Sequence, residues 1–154
     1  METNPLYSAY LGELYGIAFF TAFANKYSDD SHIHKWQLLI NVEQITATKL
    51  KTELTSIGIP CPDHDAKMEQ KGQEDAEQWL HRDWESLVDT LVNWVEPYAL
   101  RYRQQAKAAT EHQNLYHLVA QHEDAIWAFL QAEQQQADSG IAILEAFINQ
   151  HQPR

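Results

Sequence analysis

The 154 residues carry 22 Asp and Glu against 11 Lys and Arg, a net charge of -11, with 5 Gly, 5 Pro and 5 Trp. Phosphate backbones and anionic membrane surfaces repel such a chain, so nucleic acid and membrane are excluded as default partners. Abundant Ala, Leu, Gln and Glu and scarce turn residues favour an all-α fold, and the length fits a single domain over 1–154.

A first helix is expected over 5–27, with Asn4 as N-cap and Pro5 at the first helical position. Its core stripe reads Leu6, Tyr10, Leu14, Ile17, Thr21 and Ala24. The apolar run 6–24 has no basic segment before it and contains Glu13, so it reads as an amphipathic helix rather than a signal peptide. Together with the lone Cys61, this points to a cytoplasmic protein. Residues 28–31 turn the chain into a second helix, 31–57, which Gly58 ends. Leu39, Glu43, Thr46, Leu50, Leu54 and Ile57 share one face of it. Residues 58–72 read as a long connection. A third helix starts near 73–75 and carries Trp79, Trp84, Leu87, Val88, Leu91 and Val95, with Pro97 expected to kink or restart it. A fourth helix, 111–136, presents Leu115, Val119, His122, Ile126, Phe129 and Glu133 as one stripe. A short fifth helix, 141–150, follows Asp138-Ser139-Gly140.

Connection lengths constrain how these helices are arranged. Short turns join the first to the second helix and the third to the fourth, so each pair is expected to be an antiparallel hairpin. The 58–72 connection is long enough, at roughly 50 Å when extended, to pass the whole second helix. The expectation is a four-helix bundle, 5–136, with one long crossover between its second and third helices.

Two polar groups lie in apolar stripes, Glu43 and His122, and such groups are costly to bury unless paired, hydrogen-bonded or metal-bound. Glu13 lies 14 residues before Tyr27, Glu43 lies 12 after Ser31, and His122 lies 14 before Gln136. With the crossover, all three fall in one layer near mid-bundle, Glu13 at the flank of its stripe by about 80°.

At this point the chain resembles the ferritin-like superfamily of carboxylate-bridged di-iron proteins, over residues 6–136. That resemblance implies a lone Glu on each of two helices and a Glu-x-x-His on each of the other two. Glu13, in Leu11-Gly12-Glu13-Leu14-Tyr15-Gly16, matches the first lone Glu. Glu43-Gln44-Ile45-Thr46 matches one pair with Thr46 in place of His, and Val119-Ala120-Gln121-His122 the other with Val119 in place of Glu. The third helix offers only Trp84, Leu87, Val88 and Leu91 at that depth, with Glu77 and His81 about two turns away. The set kept, Glu13, Glu43 and His122, suits one iron, manganese or zinc ion, with oxygen or peroxide chemistry on iron. The alternative is a buried Glu43–His122 pair that fixes helix register, in a scaffold acting through oligomerisation or a protein partner.

A more distant reading is a His-ligated, metal-dependent transferase-like bundle. His112, His117 and His122 are spaced by five, which turns successive rings about 140° apart. His122-Glu123 resembles part of a zinc-protease motif, but Ile126 stands where the second His is required. The aromatic residues of the first helix, Tyr7, Tyr10, Tyr15, Phe19, Phe20 and Phe23, spread wider than one stripe. This suggests a helix covered on two sides, by a second copy in a homodimer or by the fifth helix.

Overall fold

The structure, a computed structural model, describes residues 4–152 and is all-α among them. Its contacts divide the chain into two compact units, Met1–His81 and Arg82–Arg154. No helix among the described residues is long and apolar enough to cross a membrane.

The first unit begins with α1, Pro5–Lys26. Asn4 caps it, its side-chain oxygen accepting from the amides of Leu6 at 2.8 Å and Tyr7 at 3.3 Å. A 3-10 turn, Asp30–His32, leads into α2, Ile33–Ser56. Gly58 ends α2 at φ 90, while the amides of Gly58 and Ile59 return to the carbonyls of Thr55 and Leu54. That is a Schellman stop, and it needs a residue free to take positive φ. Ile57, expected in the core stripe, lies beyond the helix and is exposed.

The buried face of α1 differs from the expected stripe. Ile17, Thr21 and Ala24 are only half-buried, and the deepest ladder runs Leu6, Ala9, Glu13, Gly16, Phe20, Phe23. Glu13 therefore lies at the centre of a buried face rather than at its flank. Near the turn, Phe23 stacks on Trp36 with ring centroids 4.7 Å apart, and Tyr27 meets the same indole at 5.9 Å. Burying such rings contributes about 2–3 kcal/mol each and fixes the hairpin at this end.

The connection after α2 is not an extended crossover. It contains α3, Ala66–Glu77, whose N-cap Asp65 accepts from the amide of Met68 at 3.0 Å. This helix lies on α1 through small residues, Gly72 and Ala76. Tyr15 donates to Asp75 at 2.6 Å, Lys26 pairs with Glu77 at 3.0 Å, and Trp79 meets the edge of Phe19 at 6.1 Å. Part of the wide aromatic face of α1 is thus covered from within the chain by α3.

In the second unit, α4 spans Trp84–Ala108 and starts from Asp83, which accepts from the amide of Ser86 at 2.9 Å. The expected third helix is therefore two helices, separated at 78–83, with Trp79 in the break and Trp84 at the start of α4. Pro97 does not interrupt α4. Pro97 and Asn93, whose carbonyl would receive the missing hydrogen bond, are both exposed, so water satisfies the carbonyl at little cost. After a short connection with His112 at φ 54, α5 spans Gln113–Gln134. The α4–α5 hairpin is antiparallel, tied by Trp84 to Glu133 at 3.2 Å, Gln134 to Asp89 at 3.0 Å and Arg103 to Asp124 at 2.8 Å. The last helix, α6, Ser139–His151, packs on α5.

Gly72 carries a stability test. A methyl group there would lie 2.5 Å from the backbone oxygen of Tyr15 and 3.1 Å from the amide nitrogen of Phe19. Gly72→Ala should cost about 1–3 kcal/mol in urea unfolding as α3 is forced off α1, although alanine favours helix intrinsically. A gain in stability would show that α3 is not held at this approach.

Candidate metal centre

Glu13 and Glu43 stand on the facing sides of the α1–α2 hairpin. Both belong to largely apolar ladders: Ala9, Gly16 and Phe20 on α1, and Leu39 and Leu50 with the buried hydroxyl of Thr46 on α2. Glu13 is 3% exposed and Glu43 is 5% exposed. Room for the second carboxylate comes from Gly16, one turn beyond Glu13. A methyl group at Gly16 would lie 2.6 Å from the carboxyl carbon of Glu43 and 2.6 and 2.7 Å from its two oxygens. The Glu43 carboxylate fills the space that any side chain at position 16 would need.

His122 lies on α5 between Val119 and Ile126 and is wholly buried. The imidazole meets the ring of Phe147 edge-on, centroids 6.0 Å apart at 80°. Its Nε2 is 3.7 Å from a carboxylate oxygen of Glu123, within ion-pair reach but longer than a hydrogen bond. One ligand atom from each of Glu13, Glu43 and His122 lies within 4.8 Å of those from the other two. Among the described residues, no other group of three or more His, Cys, Asp or Glu side chains comes together in this way.

The other residues weighed from sequence lie elsewhere. His112 and His117 are exposed, as are His34, His64 and His81, so the His-ligated arrangement is not assembled. Glu77 is at the surface with Lys26. Cys61 is buried, and burial raises its thiol pKa above the ordinary value, which leaves little thiolate for a nucleophile. Tyr10, which donates to the carbonyl of Pro62 beside it, is raised chiefly by burial and secondarily by Cys61. That contact straps the 57–65 segment to α1.

Charge decides what the three groups can do together. Two ionised carboxylates this close repel each other strongly, and burial adds a desolvation cost for each. A divalent cation would balance the charge of two ionised carboxylates. Metal–oxygen and metal–nitrogen bonds of about 2.0–2.2 Å place opposite donors up to about 4.4 Å apart, so small side-chain rotations bring these atoms into range. The donor set therefore fits one divalent ion.

Gly16 is the residue that sequence reasoning missed. The available signal was a glycine inside a helix, where it costs about 1 kcal/mol relative to alanine and so implies a packing reason. Comparison with known proteins adds no assignment: no family model, no curated protein and no solved structure matches the chain.

The Gly16 space is testable without metal. In a double-mutant cycle, Gly16→Ala and Glu43→Ala should couple by about 0.5–3 kcal/mol, because the smaller residue at 43 relieves the clash at 16. Strict additivity in urea unfolding would show that Glu43 does not occupy that space.

Proposed function

We propose that this chain is a metal-binding helical bundle of ferritin-like type, in which Glu13, Glu43 and His122 hold one divalent iron, manganese or zinc ion. The observation carrying this reading is the buried meeting of two carboxylates and one imidazole within 4.8 Å, in groups that are at most 5% exposed. The kept and missing ligand positions support the ferritin-like comparison. Glu13 stands for a lone Glu, while Glu43 and His122 each retain half of a Glu-x-x-His, with Thr46 and Val119 in the other halves. Thr46 and Val119 are both buried, so the vacated ligand positions are filled by small side chains.

The chain's own groups have defined tasks in this reading. Glu13 and Glu43 supply the negative charge that a divalent ion balances, and His122 supplies a neutral nitrogen donor. Leu39 and Leu50 flank Glu43 on the buried face of α2, and Val119, Ile126 and Phe129 flank His122 on that of α5, which keeps water from each group. Iron there supplies redox chemistry toward oxygen or peroxide, and zinc supplies Lewis-acid chemistry.

A non-catalytic scaffold is the second reading, favoured by how thoroughly the three groups are closed off. A site with 3%, 5% and 0% exposure at its three residues suits an ion that holds helices together as readily as one that turns over substrate.

Elemental analysis by plasma mass spectrometry tests the proposal, on protein purified without chelators from metal-supplemented cells. Close to one iron, manganese or zinc per chain is expected, and Glu43→Gln and His122→Ala should each lose it. Metal should raise the melting temperature of the native chain but not of either variant. Little metal, or metal that neither variant changes, would leave a structural pair. Removing one partner of that pair would then cost about 3–5 kcal/mol at any metal concentration.

A further inference from the structure

We infer that one edge of α4 is a contact between two copies of this chain, laid antiparallel about a twofold axis at the height of Tyr98. The inference uses α4 and its partner α5 alone and is separate from the metal centre.

Charge is segregated along α4. Residues 84–96 contain Glu85, Asp89 and Glu96 with no Lys or Arg, and residues 97–108 contain Arg101, Arg103 and Lys107 with no Asp or Glu. The helix dipole favours such an order only within the first and last turns. It accounts for Glu85 and Lys107, but not for Asp89, Glu96, Arg101 and Arg103, which lie further in.

Spacing puts most of these charges on one line. Glu85, Asp89, Glu96, Leu100, Arg103 and Lys107 follow at intervals of 4, 7, 4, 3 and 4, so they fall within about 60° of one another around the helix. All are exposed except Glu96, which is half-buried. The edge therefore reads acid, acid, acid, leucine, base, base, with Leu100 45% exposed near its middle. Helix α5 steadies two of its members: Asp89 accepts from the amide of Gln134 at 3.0 Å, and Arg103 donates to Asp124 at 2.8 Å. Side chains ordered in advance lose less freedom on docking.

An edge in this order is complementary to itself when reversed. Turning a second copy end over end about the height of Tyr98 sets Asp89 opposite the partner's Lys107, and Lys107 opposite the partner's Asp89. Glu96 then lies within one turn of the partner's Arg103, and the two Leu100 side chains meet beside the axis. A parallel arrangement sets acid against acid and base against base. The net charge of -11 repels two copies at long range, but at physiological salt that field is screened beyond about 8 Å, which leaves the contacts at the edge to decide. The overlap from Asp89 to Lys107 is about 27 Å long, which is short for a permanent dimer, so the association is reversible.

Sedimentation equilibrium of the full chain at about 150 mM salt, loaded from about 5 to 500 μM, tests the contact. The average mass should rise from one chain toward two across this range. Asp89→Lys and Lys107→Glu each set like charges together at both ends of the pairing, so each should raise the dimer Kd at least about tenfold. An equimolar mixture of the two variants brings unlike charges together again and should recover the dimer, as should the chain carrying both changes. Recovery by mixing separates the edge from any effect of a variant on its own fold, which circular dichroism checks for each alone. A native mass of one chain throughout would overturn the inference. So would a native dimer that neither single variant weakens, or a mixture that does not recover.

Discussion

Two carboxylates buried face to face across the α1–α2 hairpin are the constraint around which this molecule is organised. Glu13 and Glu43 sit where the period of each helix calls for apolar residues, and Gly16 gives up its own side chain to make room for one of them. Each of these choices is unfavourable alone: buried charge, like charges close together, and glycine inside a helix. The proposed divalent ion would offset the charge of the two carboxylates, and His122 is a wholly buried imidazole on α5.

Each unit has its own packing around the buried groups. Trp36 locks the turn end of the first hairpin against Phe23 and Tyr27. The contact between Tyr10 and Pro62 straps the chain at the other end. Helix α3 takes the remaining aromatic face of α1, which leaves the ladder of Glu13 and Gly16 for α2. In the second unit, the cross-links from Trp84 to Glu133 and from Arg103 to Asp124 fix the register that sets the height of His122 on α5. Rigid elements hold ligand geometry better than loops do, and all three donors stand on long helices.

Much of this was legible before the coordinates. Asn4 and Gly58 announced helix ends by their chemistry, and the stripes of α2 and α5 put Glu43 and His122 on buried faces. Counting from the helix ends then placed Glu13, Glu43 and His122 at one height, and all three are buried. What escaped depends on interactions that a periodic pattern does not carry. Helix α3 buries only Gly72 and Ala76 and is mostly polar elsewhere, so it shows no apolar stripe; its stability comes from Asp65 as cap and from close approach to α1. The break at 78–83 was hidden because Trp79, inside it, and Trp84, just after it, prolong an apparently continuous apolar pattern. Pro97 misled because its effect depends on whether the freed carbonyl meets water, which sequence alone does not state. Gly16 was visible as a residue, but its role follows only from where the side chain of Glu43 ends.

The central claim is that the buried layer is a ligand shell and not only a pair of hydrogen-bonded groups. X-ray absorption at the zinc edge, on protein loaded with one equivalent of zinc, reads that shell directly. The account predicts oxygen and nitrogen neighbours at about 2.0–2.2 Å, including the outer-shell scattering of a single imidazole and no sulfur. A fully hydrated ion, a shell with two or more imidazoles, or sulfur from Cys61 would contradict it.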